Sequence, residues 1–191
     1  IYHTFDYGRC RFIITDYRSE RNIGSGTTFG AAQVTWLKGI LSNSPGKMLF
    51  WMSSKPWYSV GGDGFPSAER EELADYIRDE GLIGRIIYLT GDAHHMGIDD
   101  GSSHDYANGG GCPLPLGQFA PLSSTNSGGS AGNFNQGLSG SRTGQFGLIE
   151  VEDDGGDIID VTVRAMRTVS DNSSEVEEAF SWTLNADVSG S

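Results

Sequence analysis

Between residues 11 and 95 the chain switches its hydrophobic period back and forth, and few folds accommodate that. Arg11-Phe12-Ile13-Ile14-Thr15-Asp16 reads as a strand that ends in a polar cluster running to Arg21. Ala31, Val34, Leu37 and Leu41 then recur at helical spacing, with Trp36 beside them, until Asn43-Ser44-Pro45-Gly46 stops the helix. Lys47 to Met52 reads as a second buried strand. Ser67 is the expected N-cap of a second helix, and Glu69, Glu71 and Glu72 suit its positive end. Leu73, Tyr76 and Ile77 supply its apolar face, and Gly81 is its natural C′ residue. Ile86 to Thr90 is a third strand. Strand, helix, strand, helix, strand predicts α/β layering around a mainly parallel sheet.

After His95 the pattern changes. Residues 96–143 form a long Gly/Ser/Asn/Pro-rich stretch without periodicity, expected as a loop, and 123–143 is nearly low-complexity and expected to be mobile. Residues 144–185 return to strand character in three runs: Gln145 to Val151, Ile158 to Met166 and Ala179 to Leu184. Asp153-Asp154-Gly155-Gly156-Asp157 is the turn of an antiparallel hairpin. No internal repeat is visible, and 191 residues suit one domain or one and a half.

Charge narrows the function classes. A formal net charge of −12 repels phosphate backbones and argues against a nucleic-acid-binding module. It fits an extracellular or high-salt setting. No apolar run reaches membrane-spanning length. Cys10 and Cys112 form no CxxC pattern, so pairing, metal ligation and free thiols all stay open. The first residue is Ile1 and not Met, so a processed or truncated chain is expected.

The chemistry concentrates at Leu89-Thr90-Gly91-Asp92-Ala93-His94-His95. If strand geometry persists, Asp92 and His94 point to one face, with small Gly91 and Ala93 leaving room. A carboxylate and an imidazole at a strand's carboxyl end suit zinc, iron or manganese. Open α/β sheets bind ligands there. A histidine-rich turn after a core strand explains the motif equally well. His95 is expected on the opposite face as a hydrogen-bonded turn residue, and His104 as a solvated loop residue. Asp16 is expected to orient Arg18 or to cap its loop. Asp63, in Gly61-Gly62-Asp63-Gly64, either lines a site or serves an ordinary turn.

The order of these motifs resembles the C-terminal half of a PhoD-like alkaline phosphatase, in the calcineurin-like metallophosphatase superfamily. The resemblance lies in Phe12-Ile13-Ile14-Thr15-Asp16-Tyr17-Arg18-Ser19, Phe29 to Leu37, Asp63-Gly64-Phe65-Pro66-Ser67-Ala68-Glu69-Arg70, Leu89 to His94, and Gln145 to Val151. It implies an α/β fold, the C-terminal half of a four-layer α/β/β/α sandwich. It also implies metal-dependent hydrolysis of phosphomonoesters or phosphodiesters by metal-activated water, outside the cytoplasm (extracellular or periplasmic). Asp92 and His94 would be metal ligands and catalytic residues. Arg18, in an Asp-x-Arg position, would bind and stabilise the phosphoryl group with its planar guanidinium, and Asp63 would line the substrate site. Iron and calcium are the implied ions, with manganese or zinc as alternatives.

The family's first metal ligands belong to an N-terminal half absent from this sequence, which would be a separate or missing segment of the same enzyme. The sequence departs from the pattern at Ser53-Ser54-Lys55, where many superfamily members carry a His, and at Gly61-Gly62, where the family has a Trp. Two rival readings remain. One is a non-catalytic binding or structural fragment that needs the missing half for activity. The other is an iron redox protein, which would need a second histidine on a neighbouring strand.

Overall fold

A computed structural model describes residues 1–22, 24, 26–58, 65–123, 134–138, 143–171 and 173–189. Its centre is a seven-stranded sheet ordered β1-β2-β3-β4-β6-β5-β7. The strands are β1 (His3–Tyr7), β2 (Cys10–Ile14), β3 (Met48–Met52), β4 (Ile86–Thr90), β5 (Met96–Asp99), β6 (Leu116–Phe119) and β7 (Gln136–Leu138). β2, β3, β4 and β6 run parallel, and antiparallel strands flank them on both sides. The helices α1 (Gly30–Ser42) and α2 (Ser67–Asp79) are the crossovers that return the chain to start β3 and β4.

Period-two alternation in the central strands sorts side chains into two cores. Ile13, Leu49, Trp51, Ile86 and Tyr88 face the helices and pack with Leu37, Leu41, Leu73 and Ile77. Trp51 meets Tyr88 edge-on at 4.9 Å between ring centroids. Cys10, Met48, Phe50, Ile87 and Leu89 face the other way, onto Ile159, Val161, Val163 and Ala165 of a second sheet. That sheet is antiparallel, ordered β10-β9-β8, from β8 (Gln145–Glu152), β9 (Ile158–Thr168) and β10 (Val176–Asp187). The second sheet approaches closely because Gly147 of β8 has no side chain. A Cβ there would fall 2.5 Å from the Phe119 ring.

The described residues thus build three layers, helices, sheet and sheet. The fourth, helical layer of the expected sandwich is not among them. Two local expectations change as well. Ser67 is the first helical residue and not the N-cap; Pro66 takes the cap position without a side-chain bond. The stretch 96–143, expected as loop, holds β5, β6 and β7. Each is only three or four residues long with an internal glycine, too short and too interrupted to show a period. Residues 124–133 and 139–142, within the stretch expected to be mobile, lie outside the described residues. Both cysteines are buried and free.

Candidate functional site

β4 is buried along its whole length between β3 and β6. Its geometry ends at Thr90, so the strand-face argument for Asp92 and His94 does not apply. Both residues instead have positive φ, 68° and 53°. Non-glycine residues seldom adopt this region, and asparagine, aspartate and histidine tolerate it best. Ala93 N–H donates back to the Gly91 carbonyl at 2.8 Å, closing a three-residue turn centred on Asp92. Gln118, fully buried on β6, donates to the same carbonyl at 2.6 Å. The loop is therefore held in a strained shape, of the kind found at ligand sites.

That shape presents Asp92 to two cations. Lys55 Nζ donates to Asp92 Oδ2, and Arg18 Nη2 lies 3.9 Å from Asp92 Oδ1. Side-chain exposure is 3% for Lys55, 42% for Asp92 and 62% for Arg18, so a buried ammonium sits beneath an open carboxylate and guanidinium. Lys55 is fixed at its backbone too, because its carbonyl accepts the Tyr88 hydroxyl at 2.6 Å. Arg18 stands on a turn built by Asp16, whose Oδ1 accepts from Arg18 N and Ser19 N, each at 3.0 Å. Buried Gln33 of α1 holds the backbone of Asp16 at both groups: Asp16 N donates to Oε1 at 2.7 Å, and Nε2 donates to the Asp16 carbonyl at 2.8 Å. Asp16 thus performs the loop-capping role that the sequence suggests. Next to this edge, between the sheets, lies an apolar cleft of about 210 Å³ lined by Met52, Leu89, Phe119, Gly147 and Ile149, with Ser53 and Thr90 at the strand ends.

The other histidines divide. His94 is half-buried in the loop. His95 is buried, with Nδ1 2.8 Å from the Ala93 carbonyl and Nε2 2.7 Å from Tyr58 Oη. A carbonyl only accepts, so Nδ1 carries the proton and Nε2 accepts from the Tyr58 hydroxyl. Burial pushes the His95 imidazole below its ordinary value and the Tyr58 hydroxyl above its own. His104, expected to be solvated, is completely buried. Its Nδ1 lies 3.3 Å from Asp99 Oδ1, and the ring packs against Tyr58, Tyr106 and Phe134. Asp63 lies outside the described residues.

Among the described residues no three His, Cys, Asp or Glu side chains converge as a metal ligand set. The Asp92 oxygens face an ammonium and a guanidinium, and like charges repel a metal cation there. These residues do not by themselves fit iron, calcium or another divalent ion. Lys55, the residue that most changes the site, had one sequence signal: it belongs to Ser53-Ser54-Lys55, a stretch where the sequence departs from the resembled pattern.

No family model matches the sequence, and no curated protein does. Among solved structures, that of PhoD superposes with a TM-score of 0.69 at 12% identity. The match covers 99% of this chain and 42% of that one. The likeness shows a PhoD-like fold, and the chain spans less than half the length of the structure it matches.

Proposed function

We propose that the chain supplies part of a phosphate-ester hydrolase site at the carboxyl edge of β2, β3 and β4. The observation that carries this reading is the convergence of Arg18, Lys55 and Asp92 on that edge, in a fold similar to that of PhoD. Arg18 would bind two phosphoryl oxygens through its planar fork, and Lys55 would add a fixed charge beneath them. As charge redistributes towards the transition state these bonds strengthen, which is how bound cations accelerate phosphoryl transfer. His94, on the same loop, would exchange a proton with water or leaving group. A metal-dependent form of the reaction, with iron and calcium as the resemblance implies, would need ligands beyond the described residues. An extracellular or periplasmic setting belongs to the same proposal; among the described residues no helix is long and apolar enough to cross a membrane.

A second reading, a fragment that needs another segment for catalysis, is favoured by the 42% coverage of the PhoD structure. The test is hydrolysis of p-nitrophenyl phosphate and its diester by the full-length protein and its Arg18→Ala variant. Loss of the guanidinium is expected to lower kcat/KM by about 10²-fold and to weaken inhibition by phosphate, with partial rescue by Arg18→Lys. Unchanged kinetics in Arg18→Ala would leave the arginine as a surface pair with Asp92.

A further inference from the structure

We infer that His95, locked by Tyr58, is a positioning residue for this site: it holds the loop that carries Asp92 and His94 in the backbone shape that sets Asp92 against Arg18 and Lys55. The inference deepens the phosphate-ester reading and rests on it for its kinetic consequence. The backbone gives the first argument. Asp92 and His94 both have positive φ, at 68° and 53°. Glycine adopts that region freely, whereas a residue with a side chain stays there only where its surroundings over-determine it. Each of the two follows a peptide whose carbonyl is gripped by a buried side chain. The Gly91 carbonyl, before Asp92, accepts from Gln118 Nε2 at 2.6 Å. The Ala93 carbonyl, before His94, accepts from His95 Nδ1 at 2.8 Å. Gln118 and His95 are both buried. Rotation of either peptide towards ordinary negative φ would leave a buried donor without its partner.

His95 acts this way as one tautomer only. Nδ1 must carry the proton, because a carbonyl accepts and cannot donate. Nε2 is then a bare acceptor, and the Tyr58 hydroxyl, 2.7 Å away, donates to it and keeps it so. Phe134 meets the imidazole edge-on, at 5.4 Å between ring centroids, and fixes its plane. Tyr58 stands on the connection from β3 to α2, which also carries Lys55. That connection is therefore tied to the Asp92 loop twice. Lys55 Nζ donates to Asp92 Oδ2 at the edge, and Tyr58 donates to His95 in the interior. Tyr58 and His95 are both buried, so they act through the loop backbone and not on the ligand.

Asparagine and glutamine separate the two ring nitrogens. The amide nitrogen of Asn falls near the place of Nδ1 and still donates to the Ala93 carbonyl, but leaves Tyr58 without its acceptor. The amide of Gln reaches the place of Nε2 and still accepts from Tyr58, but lets the Ala93 carbonyl go. Each variant loses one hydrogen bond, so a merely structural role would treat them alike. The experiment compares wild type, His95→Asn, His95→Gln and Tyr58→Phe in the full-length protein. It reads kcat and KM for p-nitrophenyl phosphate, and NMR signals from isotope-labelled alanine carbonyls and histidine nitrogens, which report the Ala93–His94 peptide and the His95 tautomer. Expected are the Nδ1–H tautomer in wild type, a displaced Ala93–His94 signal in His95→Gln, and kcat/KM lowered there on the order of 10²-fold. His95→Asn should keep that signal near its wild-type place and recover most of the rate. Should His95→Gln fail to fold, Tyr58→Phe, which removes one oxygen, is expected to displace the same signal and lower the same rate. An Nε2–H tautomer in wild type, or equal rates and equal signals in His95→Asn and His95→Gln, overturns the inference and leaves the phosphate reading standing. No turnover by wild type removes the phosphate reading and the kinetic consequence, while a signal displaced in His95→Gln and kept in His95→Asn still establishes that His95 holds the loop.

Discussion

His95 and Tyr58 hold each other uncharged, and His104 repeats the theme a few ångströms away. Burial is the larger influence on both imidazoles and lowers their affinity for protons. At His104 burial outweighs the pull of Asp99, and nearby Arg70 opposes protonation too. In the unfolded chain both rings titrate near the ordinary value of about 6.5. Below that pH the unfolded state binds protons that the folded state refuses, so stability rises with pH in this window and falls on acidification. Above it, both states are neutral and the effect is flat. Urea denaturation between about pH 5 and about pH 8 should therefore show an acid-side decline, and His95→Phe or His104→Phe should each flatten it. The slope is the diagnostic reading, because His95→Phe also strands the Tyr58 hydroxyl and shifts the whole curve. A decline unchanged by both substitutions would assign it to carboxylates. Nothing in the sequence distinguished His104 from a solvated loop residue, since its burial depends on Phe134, thirty positions further on.

At the scale of elements, the site is aimed by the helices more than by its own strands. Glu69 on α2 accepts from Thr28 N at 2.6 Å and Phe29 N at 3.2 Å, and so satisfies the start of α1 from outside it. Gln33, one turn into α1, then grips both backbone groups of Asp16, and Asp16 sets the turn that carries Arg18. Removing the Glu69 carboxylate leaves buried N–H groups without partners, so Glu69→Ala is expected to cost about 1–3 kcal/mol in chemical denaturation. Gln33→Leu keeps the volume but frees the Asp16 backbone, and should weaken phosphate affinity through Arg18 although residue 33 touches no ligand. Unaltered phosphate affinity in a folded Gln33→Leu protein would disconnect the helix from the site. The helices themselves were legible, because Val34, Leu37, Leu41, Leu73 and Ile77 repeat at helical spacing and are buried. The three parallel strands of the alternating segment were legible as largely apolar runs, broken in β2 only by Arg11. β5, β6 and β7 were not, since Gly97, Gly117 and Gly137 interrupt strands of three or four residues. At the site, the Asp92–His94 motif was legible as a place. Its geometry was not, because two positive-φ residues replace the extension that spacing alone suggests.

At the scale of the molecule, the second sheet tells which surfaces want company. Its outward face is laid with cross-strand polar pairs: Arg164 bonds Glu150 and Glu178, each at 2.6 Å, and Asn185 bonds Asp160. Thr162 and Thr183 meet across the strands at 2.9 Å. Such pairs suit a solvated face, so no helix is needed to cover it. The edges differ. β10 is the longest strand, twelve residues, and pairs only with β9 among the described strands. On the large sheet β1 is an edge, with Phe5 and Tyr7 exposed at 49% and 81%. A long edge offers a row of unpaired N–H and C=O groups to other chains, here interrupted by one register shift at Glu178/Phe180. In the PhoD structure, by contrast, 58% of the chain lies outside the match, the remainder after the 42% it covers, so that fold has further chain available to pack on such edges. Residues 1–191 expressed alone are therefore expected to self-associate, and β10, by its length, is the edge through which they should do so. Thr183→Lys places a charge in the middle of that strand, on the exposed face, which is how natural sheets blunt an edge. Light scattering after size-exclusion chromatography should show association in the unmodified chain and a shift towards monomer in Thr183→Lys, while Tyr7→Lys on β1 changes it less. A monodisperse monomer from the unmodified chain would mean that the β10 edge is protected by its own twist and polar flank. A larger effect of Tyr7→Lys would move the sticky edge to β1.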